Sequence, residues 1–169
     1  NQRILVDDGS IDLTVAVAEW WGWTVIKSEG KGISDAANTA LKYVETEKFC
    51  SFEQDLLLSP IWWKEVSALI NKEVVVASGV RVPYGSKVLC DIGLFEVNRF
   101  RGQHINGFGY GMNLDNTIYD TQFLRGVGGF PKVEGGAGVD RQLAKKVFKA
   151  GSKWIVNFDV VSNHIRKGV

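Results

Sequence analysis

The chain has 169 residues, 45% of them hydrophobic and 23% charged, with 20 Lys and Arg against 19 Asp and Glu. This length and composition fit one domain, residues 1–169, with a sizeable core, and exclude a disordered chain. A net charge of +1 gives no signal for general nucleic-acid binding, and no run reaches the roughly 20 apolar residues of a membrane helix.

Arg3 to Val6 is a short apolar run stopped by the turn signal Asp7-Asp8-Gly9. Ile11, Leu13, Val15 and Val17 then alternate with Asp12, Thr14, Ala16 and Ala18. That period of two predicts a strand with one buried face. It runs into Trp20, Trp21 and Trp23, which cannot all point one way on a strand. After a polar loop (27–32), Ser34 is expected to cap a helix over 35–48, with Ala37, Leu41 and Val44 inward. The stretch KYVETEKFCSF also suits a strand. Ser59-Pro60 starts another helix that turns Trp62, Val66, Leu69 and Ile70 inward and leaves Trp63 at the margin.

The stretch from Val74 to Leu114 reads as three strands around which the rest is organised. The second, Lys87 to Phe100, is apolar on both faces, which predicts a central position in the sheet. In the third, Gly107, Gly109 and Gly111 alternate with Phe108, Tyr110 and Met112, so one face is bare and invites close approach. Residues 126–138 carry six glycines and predict an exposed, mobile or ligand-shaped loop. Asp140 then caps a helix that Gly151 closes, with Leu143, Ala144, Val147 and Phe148 as its stripe. Trp154 to Val161 is the closing strand. The expected fold is α+β: a single domain with a mixed or largely antiparallel sheet of about five to seven strands and about three packed helices.

Cys50 and Cys90 form no framework and no CxxC pair; they are expected as small buried apolar residues, with a bridge left open for an exported chain. Cys50 with His104, oriented by Asn116 or Asp120, would make a thiol nucleophile and base, in the element order of some peptidoglycan-cleaving cysteine peptidases. His104 and His164 lack metal-ligand spacing, and no pair among the 19 acids is selected by spacing alone. No cofactor or metal is expected.

GGAGVDRQLAKK followed by a strand and Asn163 resembles the coenzyme A loop of the GNAT acetyltransferases, with Lys132, Gly135 and Ala137 on that family's pattern. The resemblance implies that the loop amides hold the pyrophosphate of acetyl-CoA. Six tryptophans exceed what one small core takes, and such rings favour interfaces. The leading expectation is therefore a non-catalytic structural or assembly subunit of the phage or viral particle type. It would pack against itself or other structural proteins through Trp20, Trp21, Trp23, Trp63, Phe108 and Tyr110. The alternatives are a GNAT-like N-acetyltransferase and a Cys/His hydrolase acting on peptidoglycan.

Overall fold

The computed structural model describes residues 2–85, 87–107, 111–133 and 137–165. Phe108, Gly109, Tyr110 and Gly135 lie outside them. The chain forms two compact units: the described residues of Asn1–Glu47 with Thr121–Leu143, and those of Lys48–Asp120 with Ala144–Val169.

In the first unit β1 (Ile4–Asp7) pairs in parallel with β2 (Thr24–Lys27). Parallel neighbours need a long crossover, and that crossover contains helix α1 (Thr14–Trp20). The strand expected over Ile11–Ala18 is thus a helix. Asp12 accepts the Thr14 N–H at 3.0 Å where it begins. None of its residues is buried, so the Val/Ala alternation answers to no sheet face. Helix α2 (Ile33–Tyr43) starts from Gly32 with no side-chain cap. Ser34, expected as that cap, is buried in the first turn and donates to the Pro131 carbonyl at 2.9 Å. The helix ends at Tyr43, before the expected Lys48, and Arg125 donates to the Leu41 and Val44 carbonyls at 2.8 and 2.6 Å. Arg125 belongs to α5 (Thr121–Gly126).

The glycine-rich stretch that follows is not a free loop in its described part. Phe130 is buried, its N–H donates to Asn38 Oδ1 at 2.9 Å, and its carbonyl accepts from Asn38 Nδ2 at 2.8 Å. A Cβ at Gly129 would lie 2.4 Å from Asn38 Oδ1, so the close approach itself requires glycine.

In the second unit six strands form one mixed sheet: β3 (Lys48–Ser51), β7 (Thr117–Asp120), β5 (Val74–Tyr84), β8 (Lys153–Ile165) and β4 (Leu56–Leu57), in that order, with β6 (His104–Asn106) also on β8. Only β5 and β8 run parallel; the other pairs are antiparallel. The expected mixed sheet of five to seven strands is present. The described residues hold six helices rather than three. Helix α3 (Trp62–Ser67) turns Trp62 and Val66 inward, with Ile70 just beyond it, against Val74, Ala77, Ile118 and Val160.

Lys87–Arg99 is helix α4, not the predicted central strand. Gly93 and Val97 are buried, with Cys90 and Phe100 partly so, a spacing of three and four that only a helix places on one side. Val88, Ile92 and Phe95 stay exposed, and they are what makes the sequence look apolar on two faces. Lys87 and Asp91 pair at 2.7 Å one turn apart. Gly107 and Gly111 both have positive φ, so the expected alternating strand does not run through them. A Cβ at Gly111 would stand 2.7 Å from side-chain carbons of Val80 and Val156; the bare backbone is indeed closely approached. Helix α6 (Val139–Lys149) forms as expected and Gly151, with φ 75°, closes it, but Asp140 lies inside its first turn rather than at the cap. No helix among the described residues is long and apolar enough to cross a membrane.

Candidate functional site

The site grows from an irregularity in β8. Gly79 of β5 is opposite Asn157, but the next residue, Val80, is opposite Val161. Phe158–Val160 are therefore extra residues on the β8 side, and all but Asp159 are buried. Beyond this bulge the end of β8 lies between β5 and the short β4, in the register Leu56↔His164 and Leu57↔Asn163.

A turn closed by the Leu56 N–H on the Glu53 carbonyl (3.2 Å) leads into β4. The Ile165 N–H donates to the Asp55 carbonyl at 2.8 Å, and the Ser59 N–H to Ser162 Oγ at 3.1 Å. These bonds tie the turn to the strand end. They bring Glu53, Asp55 and His164 together with their ligand atoms within 4.8 Å of one another. His164 Nε2 stands 3.1 Å from Asp55 Oδ2 and 3.6 Å from Glu53 Oε2. His164 is buried; the carboxylates are partly exposed.

Burial, and then the neighbouring charge of Asp115, push the Glu53 carboxyl above its ordinary pKa; Arg81 pulls it down. Two carboxylates and one imidazole form a mixed oxygen and nitrogen donor set. Such a set suits a divalent cation such as Mn2+ or Mg2+, and three protein ligands leave positions open for a second molecule. The residues present therefore fit a cation.

Sequence spacing does not reveal this group, because more than a hundred residues separate the acids from the histidine. Its one local trace is the pair Glu53 and Asp55, two apart, between the strand sequence FCSF and the run Leu56-Leu57-Leu58.

The other candidate residues fall elsewhere. Cys50 lies on β3 and His104 on β6, at opposite sides of the sheet with β7, β5 and β8 between them. Four spacings of about 4.8 Å put them far beyond hydrogen-bond reach. Burial also pushes the Cys50 thiol up to about 12, the reverse of what a nucleophile needs. Asn116 bonds to Val80 and Ser162, not to a histidine. Cys50 and Cys90 are both free. Lys132 is ion-paired with Asp35 at 2.8 Å. Trp20, Trp21, Trp23 and Trp63 are 78%, 60%, 39% and 67% exposed, whereas Trp62 and Trp154 are buried. In the first unit, Asp7 and Asp8 serve their own turns: Asp7 accepts from Gly9 and Ser10, and Asp8 from Gly32.

A mixed sheet with helices on it and a carboxylate–imidazole cluster at a strand end define an α+β scaffold whose corner gathers donor atoms that suit a cation. The sequence profile of glycosyl transferase family 2 matches residues 2–148, and the chain belongs to that family. No curated protein sequence matches it.

Solved structures share the fold. GalNAc-T7 with UDP, GalNAc and Mn2+ is 10% identical with a TM-score of 0.70, over 98% of this chain and 38% of that one. TarS 1-349 of S. aureus in complex with UDP-GlcNAc is 17% identical with a TM-score of 0.73, over 99% and 50%. Glucosyl-3-phosphoglycerate synthase from Mycobacterium tuberculosis with phosphoglyceric acid is 17% identical with a TM-score of 0.61, over 96% and 58%. The chain thus spans about 38% to 58% of these proteins.

Family membership overturns the expected assembly subunit of phage or viral type. It equally overturns the GNAT-like acetyltransferase and the peptidoglycan hydrolase.

Proposed function

We propose that this chain transfers a glycosyl group from a nucleoside diphosphate sugar, with Glu53, Asp55 and His164 holding a divalent cation at the diphosphate. The observation that carries the reading is the convergence of those three side chains within 4.8 Å in a family 2 chain. A bound divalent cation would neutralise charge on the diphosphate as it leaves. Asp55 and Glu53 supply the anionic donors. His164 presents Nε2 to the same point. UDP and Mn2+ in GalNAc-T7, and UDP-GlcNAc in TarS, support a uridine diphosphate sugar as the donor class.

The test is a melt and a turnover assay with UDP-sugars. Mn2+ with UDP should raise Tm, and UDP release should require Mn2+ and stop with EDTA. Asp55→Asn should remove both effects. A wild type whose Tm and UDP release ignore Mn2+ overturns the reading.

We also propose that the exposed indoles Trp20, Trp21, Trp23 and Trp63 serve self-association. Exposed indole rings pack well against a covering partner.

A further inference from the structure

We propose that Arg81, anchored by Asp115, is a positioning residue that presents Glu53 to the cation; this rests on the cation reading of Glu53, Asp55 and His164. Arg81 lies on β5 opposite Ser162, two residues before the position opposite His164. Its Nη1 stands 2.8 Å from Asp115 Oδ2 and 3.2 Å from Glu53 Oε2. Glu53 Oε2 thus lies between Arg81 and His164 Nε2, which is 3.6 Å away.

The anchor is rigid. Asp115 is 3% exposed, so water cannot solvate its charge and a fixed partner must. The next residue, Asn116, holds a left-handed conformation at φ 58°. That conformation is sparsely populated and survives only where the surroundings determine it. Here the Asn116 carbonyl accepts from Gly79 N–H at 3.1 Å, its Nδ2 donates to the Val80 carbonyl at 3.1 Å, and its Oδ1 accepts from Ser162 Oγ at 3.0 Å. Backbone position passes from Asn116 to Asp115, then through the Arg81 guanidinium to Glu53.

Charge supports the same assignment. Glu53, Asp55 and Asp115 carry −3 and Arg81 +1, a formal sum of −2 with His164 neutral, which one divalent cation balances. A plain counter-charge would make the same sum, but it differs in what its removal does. On Coulomb's law alone, deleting a positive charge beside a cation site tightens binding. If Arg81 positions Glu53, deleting it loosens binding. Lysine keeps the charge but loses the rigid guanidinium plane that sets Nη1 between the two carboxylates.

The experiment is a Mn2+ titration of the 169-residue chain followed by the electron paramagnetic resonance of free Mn2+, with and without UDP. Wild type, Arg81→Lys, Arg81→Gln and Asp115→Asn are compared, each with a thermal melt. Positioning predicts that Arg81→Lys and Arg81→Gln weaken Mn2+ binding about ten- to a hundredfold, and that Asp115→Asn weakens it too. Arg81→Lys binding Mn2+ as wild type does, or Arg81→Gln binding it more tightly, overturns the inference and leaves the cation reading standing. A lowered Tm with unchanged Mn2+ affinity makes Arg81 merely structural and also overturns it. Should Arg81→Gln not fold, Arg81→Lys alone decides. A wild type that takes up no Mn2+ overturns the cation reading itself.

Discussion

Glu53 sits where its neighbours disfavour its charge. Its pKa is raised first by burial and then by Asp115, with Asp55 adding to the effect. A carboxyl whose folded pKa exceeds its unfolded value contributes stability below the unfolded pKa, and loses it as pH rises through the folded one. At neutral pH without a cation, therefore, the Glu53 carboxylate is a small liability to the fold. Glu53→Gln keeps an acceptor for Arg81 and removes the charge. It should raise the metal-free Tm at pH 7 by about 1–3 °C, because solvent screening keeps the gain below about 1 kcal/mol. The advantage should shrink as pH falls and wild-type Glu53 protonates. The same substitution should abolish stabilisation by Mn2+. Melts at several pH values with and without Mn2+ measure both effects. A lower metal-free Tm at pH 7 would contradict the assignment of Glu53 as a repelled charge.

At the scale of elements, what counts is how β8 is bent. The register change between Gly79 and Val80 lets the last turn of chain before β4 meet His164. A Cβ at Gly79 would stand 2.8 Å from the Val160 carbonyl and 3.1 Å from Asn116 Nδ2, both parts of the bulge and its lock. Gly79→Ala should cost about 1–3 kcal/mol by overpacking, or roughly 3–10 °C in Tm. It should also weaken Mn2+ binding more than its loss of stability explains, which melts and Mn2+ titration would separate. Elements whose pattern answers to a nearby surface were legible in the sequence: the α3 stripe, the α6 stripe with its closing glycine, and the mixed sheet. Helix α1 was not, because it buries nothing and its alternation is set by no packed face. Helix α4 was not, because exposed Val88, Ile92 and Phe95 erase the polar side that would reveal a period of 3.6. The cation corner was illegible because it depends on a two-residue strand and a bulge, and neither leaves a periodic trace.

On the whole molecule, two of six tryptophans are buried and four lie on the surface. Surplus indole was therefore read correctly as exposed, while the function inferred from it was not. Trp20 and Trp21 pack edge to face at 4.8 Å, and Ile11, Leu13 and Val17 beside them in sequence are exposed as well. Such a patch costs little to the isolated fold and offers apolar area to a second copy. Replacing Trp20 and Trp21 together by Ser should change thermal stability by no more than about 0.5 kcal/mol per site, since neither ring supports the core. If the patch mediates self-association, sedimentation at high concentration should show wild type as a larger species and the double variant as monomer. Mn2+ binding at Glu53, Asp55 and His164 should be the same in both. Equal sedimentation of wild type and variant would remove the self-association role of Trp20 and Trp21 and leave the cation site untouched, because the two proposals rest on different residues.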